Sequence, residues 1–217
     1  MRVMLTDSQS DPVRLAFVHV FRKREGMLNA DGSKSPDKYE VNPVFRPDGA
    51  NAAKVRAAIE AVAKERYGVK PVKTSDARGN TTGEKPAWQA ELDGFAEDQS
   101  GLRIGNKKTT RSGTIYDGFE GMVYVAARNE TRPTVVDCDK TPLVVDDGRP
   151  YAGCYGNVEI DVWALNKTNV KRRICTDLLG VQFSRDGDAF SAAEPPSDPN
   201  SFPDLSAEPE DAGMLAD

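Results

Sequence analysis

Residues 151–165 read YAGCYGNVEIDVWAL, and this stretch decides the fold class. From residue 154 onward, small or apolar side chains alternate with polar or aromatic ones, which is the period of a β-strand with one face in a core. The core face is predicted to carry Cys154, Gly156, Val158, Ile160, Val162 and Ala164. The other, accessible face carries Tyr155, Asn157, Glu159, Asp161, Trp163 and Leu165.

The rest of the chain predicts more short strands and a single clear helix. Further strands are expected at residues 13–24, 39–45, 118–128, 133–138 and 178–184. Residues 51–67 carry Ala52, Val55, Ile59, Val62 and Ala63 at the spacing of an apolar helical stripe. Alternating β-α units are missing, which argues against a parallel sheet. The predicted fold class is therefore mainly β with one or two helices, an OB-type Greek-key barrel followed by a disordered acidic C-terminal tail.

The charges are distributed unevenly along the 217 residues. Residues 1–185 carry 29 Lys and Arg against 25 Asp and Glu, whereas nine acids and no base follow Arg185. We expect one binding domain over residues 1–188, with a flexible arm at residues 1–11 and a polar excursion at residues 70–100. Residues 189–217 are predicted to be a disordered acidic tail, because they hold too little apolar surface to offset the entropy of ordering.

Aromatic side chains next to basic ones suggest a surface that binds single-stranded DNA. Bases stack on exposed rings regardless of sequence, and Lys and Arg follow the phosphates. The predicted DNA-binding residues are Arg22, Lys23, Arg24, Lys107, Lys108, Arg111, Tyr116, Phe119, Tyr124, Arg128, Arg132, Tyr155, Trp163, Lys171, Arg172 and Arg173. The alternative for Tyr155 and Trp163 is that they pack under a loop, since large aromatics are usually buried.

The tail suggests a second kind of contact. A mobile polyanion would compete with DNA for a basic groove. Apolar residues embedded among its acids are typical of docking points for a protein partner. The predicted partner-binding residues are Phe202, Leu205, Glu208, Glu210, Asp211, Met214 and Leu215.

Catalytic and metal sites are weakly indicated. His19 with Cys138, Cys154 and Cys175 could in principle bind zinc, but no closely spaced cysteine pair anchors such a site. Asp137, Asp139, Asp146 and Asp147 are more typical of a solvated loop than of a metal cluster. We therefore predict no catalytic residue, no metal and no cofactor. The alternatives are a metal-dependent nuclease, or an accessory protein-binding module without DNA affinity.

Four blocks of the sequence resemble a known family. They are Gly118–Gly121 (GFEG), Arg132–Asp137 (RPTVVD), Tyr151–Tyr155 (YAGCY) and Leu179–Gly187 (LGVQFSRDG). In this order they resemble a bacteriophage family of OB-fold single-stranded DNA-binding proteins, long catalogued as a domain of unknown function.

The resemblance implies a protein that is not an enzyme and that binds and protects single-stranded DNA during phage DNA replication, recombination and repair. It also implies that the acidic tail contacts phage replication proteins such as a polymerase or helicase. Residues 1–10 lack the apolar region of a signal peptide, and no run is long enough for a membrane span. We expect a cytoplasmic protein of the infected bacterial host cell, without membrane contact, and a homodimer is possible.

Overall fold

The computed structural model describes residues 1–28, 32–75, 78, 80–165 and 171–190. Within these ranges the chain forms two α-helices, α1 (Ala50–Tyr67) and α2 (Ala87–Asp93). The strands are β1 (Arg2–Leu5), β2 (Arg14–Arg24), β3 (Lys38–Phe45), β4 (Pro71–Ser75), β5 (Thr81–Pro86), β6 (Leu102–Ile104), β7 (Val123–Val125), β8 (Ala127–Asn129), β9 (Thr134–Val136), β10 (Tyr155–Leu165) and β11 (Arg173–Arg185).

The longest antiparallel pair is β10 with β11, which runs from Tyr155 opposite Arg185 to Leu165 opposite Arg173. The core face predicted for β10 is confirmed. Its fully buried members are Cys154, Val158, Ile160 and Val162. They pack in the main core together with residues of β1, β2, β3, α1 and β11. Burial of this apolar face is the main stabilising contribution of the pair.

The strands β2, β3, β8, β11 and β10 surround the main core as a barrel that is closed between β8 and β11 by packing and side-chain hydrogen bonds rather than by a ladder. Antiparallel ladders join β2 to β3 and β3 to β8, and β10 returns to β2 through the pair Tyr155 and Arg14. Between β8 and β11, the hydroxyl of Thr176 donates a hydrogen bond to the Ala126 carbonyl at 3.0 Å. The predicted class, mainly β with one or two helices, is confirmed.

The helix α1 covers part of the barrel and packs against β1 and β10. Its apolar stripe is buried and consists of Ala52, Val55, Ala58, Ile59, Val62 and Ala63. The carboxylate of Asp11 accepts hydrogen bonds from the main-chain N–H of Asn51 at 2.7 Å and from its side-chain amide at 2.8 Å. The helix ends at Gly68, whose φ of 86° suits a residue without a Cβ, and whose N–H donates to the Lys64 carbonyl.

The expectation of a flexible N-terminal arm is wrong. Residues 2–5 form β1, which pairs antiparallel with β10 from Arg2 opposite Asp161 to Leu5 opposite Val158. Leu5 is fully buried and Val3 nearly so. The apolar alternation of Val3 and Leu5 is only two residues long, which is too short a signal to predict a strand from the sequence.

The polar segment at residues 70–100 contains regular structure that the residue pattern did not predict. The strands β4 and β5 form a separate antiparallel hairpin, and α2 follows directly. The ring of Phe95 packs edge-on against Tyr67 at the end of α1, with centroids 6.0 Å apart. The ammonium of Lys64 lies 5.3 Å from the centroid of the Trp88 ring. Both aromatics therefore attach the segment to α1.

In the part of the chain that the structure describes, neither helix has the length and apolar character needed to cross a membrane.

The burial of β1 yields a stability prediction. Leu5→Ala should lower the free energy of unfolding by about 2–5 kcal/mol, because it leaves a cavity in the main core. Met4→Ala is the matched control, since Met4 is 48% exposed and its truncation should change stability by less than about 0.5 kcal/mol. Urea denaturation of both variants measures the difference. Equal stabilities would mean that residues 1–5 contribute nothing to the fold.

Candidate nucleic-acid interface

A groove of about 410 Å³ lies beside Trp163, near the end of β10. Trp163 is 36% exposed, so part of its ring is open to solvent. Cations from four different strands line the groove: Lys38, Arg103, Arg128 and Arg173. An adjoining cavity shares Lys38, Arg128 and Arg173 and adds Arg24. Strands that are distant in sequence thus place five cations along one continuous surface.

A buried carboxylate organises two of these cations. Glu40 is only 2% exposed. Its Oε2 accepts a hydrogen bond from Arg24 and its Oε1 one from Arg128, both at 2.9 Å. Burial by itself would raise the pKa of Glu40, but the charge of Arg128 and the hydrogen bonds from both arginines outweigh burial and hold that pKa below its ordinary value. The carboxylate stays ionised and fixes both guanidinium groups at the groove wall.

The arginines of the groove are oriented by the surrounding fold. Among the described residues, the buried Nε atoms of Arg103, Arg128 and Arg173 have no hydrogen-bond partner. The Nη2 of Arg103 donates to the main-chain carbonyl of Asp98 at 3.0 Å, which orients the group without neutralising its charge. Guanidinium donors held in this way suit phosphate oxygens, which they bind through paired N–H groups.

An aromatic cluster adjoins the groove. It consists of Phe17 on β2, Tyr124 on β7, and Tyr116 and Phe119 on the strap, which we define as residues 105–122 between β6 and β7. The ring of Phe17 meets Tyr116 edge-on at 5.1 Å, and Phe119 meets Tyr124 edge-on at 5.1 Å. Tyr116 is 36% exposed, whereas Phe119 and Tyr124 are buried. The buried rings of Phe119 and Tyr124 therefore support the more accessible rings of Phe17 and Tyr116.

Lys108 on the strap joins the cluster to the groove. Its ammonium lies 4.6 Å from the centroid of Phe17 and 6.0 Å from that of Tyr116. Burial against these rings lowers the pKa of Lys108, and the charges of Glu40 and Arg128 also act on it. The aromatic cluster and the cationic groove are therefore one electrostatic neighbourhood.

Phe17 reaches the cluster because β2 is irregular. The ladder to β3 shifts register between Ala16 and His19, and Phe17 has a φ of 51°. A bulky side chain rarely adopts this backbone region, and such strain is concentrated at functional sites. Strand alternation would send Phe17 into the main core with Leu15. The bulge instead turns its ring toward Phe119 and Tyr124.

Comparison with known proteins places the chain in a family. A family model described as the single-stranded DNA-binding protein of Enterobacter phage Enc34 matches residues 5–212, which is nearly the whole chain. The chain belongs to this family. The resemblance found in the sequence blocks is thereby confirmed, and the family is one of binding proteins rather than of enzymes.

One relative and two solved structures agree with this placement. "Putative protein p50" of Acyrthosiphon pisum secondary endosymbiont phage 1 is 32% identical over 182 residues, which cover 82% of this chain and 83% of that protein. The bacteriophage Enc34 protein solved in complex with single-stranded DNA superposes with a TM-score of 0.59 at 19% identity, covering 88% of this chain and 89% of the other. Another structure of the Enc34 protein gives 0.57 at 18% identity, covering 92% and 88%. The fold is shared.

In this Enc34-family fold, some of the site residues predicted from the sequence lie close together at the groove and the aromatic cluster. Trp163, Arg24, Arg128 and Arg173 line the groove or its adjoining cavity, and Lys108 and Tyr116 lie at the aromatic cluster. Near the groove, the ammonium of Lys23 lies 5.6 Å from the centroid of Tyr39. Elsewhere, the guanidinium of Arg132 lies 5.9 Å from the centroid of Phe21. Arg22, Arg111 and Lys171 are exposed.

Three predicted stacking residues are not available as open platforms. Phe119 and Tyr124 are 1% and 5% exposed, so they act as packing residues. The guanidinium of Arg185 lies 3.4 Å from the centroid of the Tyr155 ring and covers it. Tyr155 and Trp163 share a face of β10, but eight residues at about 3.3 Å each separate them by about 26 Å.

Two predicted phosphate contacts each have a carboxylate of their own, whereas Arg24 and Arg128 share one. Lys107 forms an ion pair with Glu97 at 2.5 Å, and Arg172 forms one with Glu91. The sequence offered no signal for these partners, which lie on the polar segment at residues 70–100. The predicted tail residues Phe202, Leu205, Glu208, Glu210, Asp211, Met214 and Leu215 lie outside the described residues.

Phe17, Lys38, Glu40 and Arg103 were missed as site residues. A glutamate inside an apolar strand was the available signal for Glu40, because a buried carboxylate requires a cation. Arg103 alternates with Leu102 and Ile104 in a strand only three residues long. For Phe17 the alternation pointed to the core.

The Glu40 clamp predicts a pH-dependent loss of stability. Glu40→Gln should destabilise the protein by about 1–3 kcal/mol at pH 7, because it leaves two guanidinium groups without their counter-charge. Since the pKa of Glu40 is lowered on folding, its contribution is present above the ordinary carboxyl value of 4.5 and is lost as the pH falls through the lower pKa of the folded state. The gap between wild type and variant should therefore narrow in acid.

Chemical denaturation at pH 7 and below pH 4 measures this gap. Glu130→Gln is the matched control, because Glu130 forms an exposed ion pair with Lys38 at 3.6 Å, and such pairs contribute little. A gap that stays constant down to pH 3 would contradict the role assigned to Glu40.

Proposed function

We propose that this chain binds single-stranded DNA without sequence preference, in the groove that runs from Trp163 to the aromatic cluster. It does so in the cytoplasm of the infected host cell, where it protects single strands during phage DNA replication, recombination and repair. The observation that carries the proposal is that six cations share one surface with two partly exposed rings. The cations are Arg24, Lys38, Arg103, Lys108, Arg128 and Arg173.

The chemistry of this surface fits a flexible single strand. Trp163 and Tyr116 each present an accessible ring to a base, and stacking tolerates every base because each has a π-face. Guanidinium groups between the rings would follow the sugar–phosphate backbone. The family assignment supports this reading, as does the shared fold with a protein solved in complex with single-stranded DNA.

Peripheral cations would extend the path of the strand. Lys23 and Arg22 follow Phe21 on β2, beside Arg24 of the groove. At the other end, Lys171 directly precedes Arg172 and Arg173 at the start of β11. We assign these residues a secondary role, in which they add charge near the groove without stacking.

A salt titration with two variants tests the groove. Trp163→Ala should weaken binding of a fluorescent single-stranded oligonucleotide by about 1–3 kcal/mol at every salt concentration, because stacking is not ionic. Arg103→Gln should instead lower the slope of log K against log salt by about 0.7, because one phosphate contact is lost. Fluorescence anisotropy measures both quantities.

Trp88→Ala is the matched control for the tryptophan, since Trp88 packs under Lys64 on α1, away from the groove. It should leave affinity unchanged. If Trp88→Ala and Trp163→Ala weakened binding equally, or if duplex DNA bound as tightly as single strands, the groove would not be the binding site.

The acidic C-terminus supports a second part of the proposal. We assign residues 1–188 to DNA binding and residues 189–217 to regulation. Nine acids follow Arg185 without a base, so this segment is a polyanion joined covalently to a cationic groove. It competes with DNA at the high effective concentration that the covalent link provides. When DNA occupies the groove, the tail becomes free to recruit phage replication proteins such as a polymerase or helicase.

Removing residues 191–217 should therefore raise the affinity for single-stranded DNA. The gain should be largest at low salt and should vanish near 1 M salt, where the screening length is only about 3 Å. Anisotropy titrations of the full-length and truncated chains provide the comparison, with the melting temperature as the control for folding. Equal affinities across the salt series would show that the tail does not compete.

A further inference from the structure

Asn42 on β3 is a fully buried side chain whose polar atoms are unused. It is 0% exposed, and among the described residues neither its Oδ1 nor its Nδ2 has a hydrogen-bond partner. A buried amide without partners lowers the stability of the free protein. Most buried polar groups are paired, so an exception in a folded protein needs a specific explanation.

The position of Asn42 in the sheet supplies that explanation. On β3 it alternates with Glu40 and Val44, so the three side chains share one face. Glu40 lies at the groove wall, and Val44 packs in the aromatic cluster. Asn42 therefore lies on the sheet between the cationic groove and the aromatic cluster.

The residues beside Asn42 on this face are small. Ala16 on β2 is its cross-strand partner, and the ladder of β3 with β7 and β8 places Ala126 opposite it on the other side. Ala16 and Ala126 both belong to the aromatic cluster's packing. Two methyl groups therefore flank the amide on this face of the sheet.

The strap covers the aromatic cluster on this face of the sheet. The tip of the strap is largely exposed from Lys107 to Asp117, and several of its main-chain hydrogen bonds close within the strap, such as Thr110 to Thr114 and Tyr116 to Lys108. Lys108 lies on aromatic faces. Phe119 anchors the strap by its burial, whereas the tip is largely open to solvent.

We propose that Asn42 is a nucleobase-binding group that becomes accessible when the strap tip is displaced by DNA. The inference rests on the proposed function and adds a specific contact to it. A base enters beside Phe17, and its edge takes up the donor and the acceptor of the Asn42 amide. The unpaired amide of the free protein is the group that this contact satisfies.

The chemistry of an amide agrees with sequence-independent binding. Asn presents one acceptor oxygen and one donor nitrogen, and a rotation of the amide by 180° exchanges them. Each of the four bases, when unpaired, carries a donor and an acceptor on adjacent positions of its Watson–Crick edge. A rotatable Asn can therefore pair with any of the four bases. It would not contribute to the binding of an abasic strand.

The test uses the full chain with two substitutions, Asn42→Leu, which is similar in size, and Asn42→Ala, in case the larger side chain does not fit. The probes are a thymidine oligonucleotide and a fully abasic oligonucleotide of equal length. Binding is measured by anisotropy and stability by the melting temperature. Both variants should bind the thymidine strand about fivefold or more weakly, which is the effect of one lost hydrogen bond.

The same variants should bind the abasic strand as the wild type does, and at least one should melt at the same temperature as the wild type or higher. If both variants melt lower, the Asn42 amide has a structural role and the inference is overturned. It is also overturned if the variants keep wild-type affinity for thymidine, or lose affinity equally for both strands. Failure of the wild type to bind the thymidine strand would instead refute the proposed function.

Discussion

The carboxylate of Glu40, almost inaccessible to water, lies in the barrel wall with an arginine on each oxygen. Burying it would be unfavourable alone, but the two guanidinium groups at 2.9 Å offset that cost and are themselves held in place. Because Arg24 and Arg128 come from β2 and β8, the clamp also ties together strands separated by more than a hundred residues. The cations of the groove are therefore held by the same interactions that hold the barrel strands together.

Around this clamp, aromatic side chains divide into two groups by burial. Phe119 and Tyr124 are inside and fix the strap to β3 and β7, whereas Tyr116 and Trp163 are partly outside. Stacking platforms need support of this kind, because a ring that is free to rotate would lose entropy on binding a base. The ring of Tyr155 is closed off from a base instead, because the guanidinium of Arg185 covers it and is itself paired with Asp7.

The sequence predicted what depends on regular alternation and little of what depends on partners distant in the chain. The core face of β10 and the helix α1 both follow from local periodicity, whereas the alternation left open whether Trp163 is exposed or packs under a loop. Whether a ring or a cation is free depends on neighbours such as Arg185, Glu97 and Glu91, which the fold brings from elsewhere. Short strands such as β1 and β6 carry too few residues for a pattern, and their pairing with longer strands decides their structure.

The bulge in β2 makes this strand unusually sensitive to its own length. One irregular residue sends Leu15 to the core and Phe17 to the opposite face. A change of length between Ala16 and His19 that restored regular alternation would turn Phe17 into the barrel interior beside Leu15 and remove it from the aromatic cluster. Natural variation in this family should therefore accumulate as insertions in the β4–β5 hairpin and spare the length of β2, whatever happens to the identity of its residues.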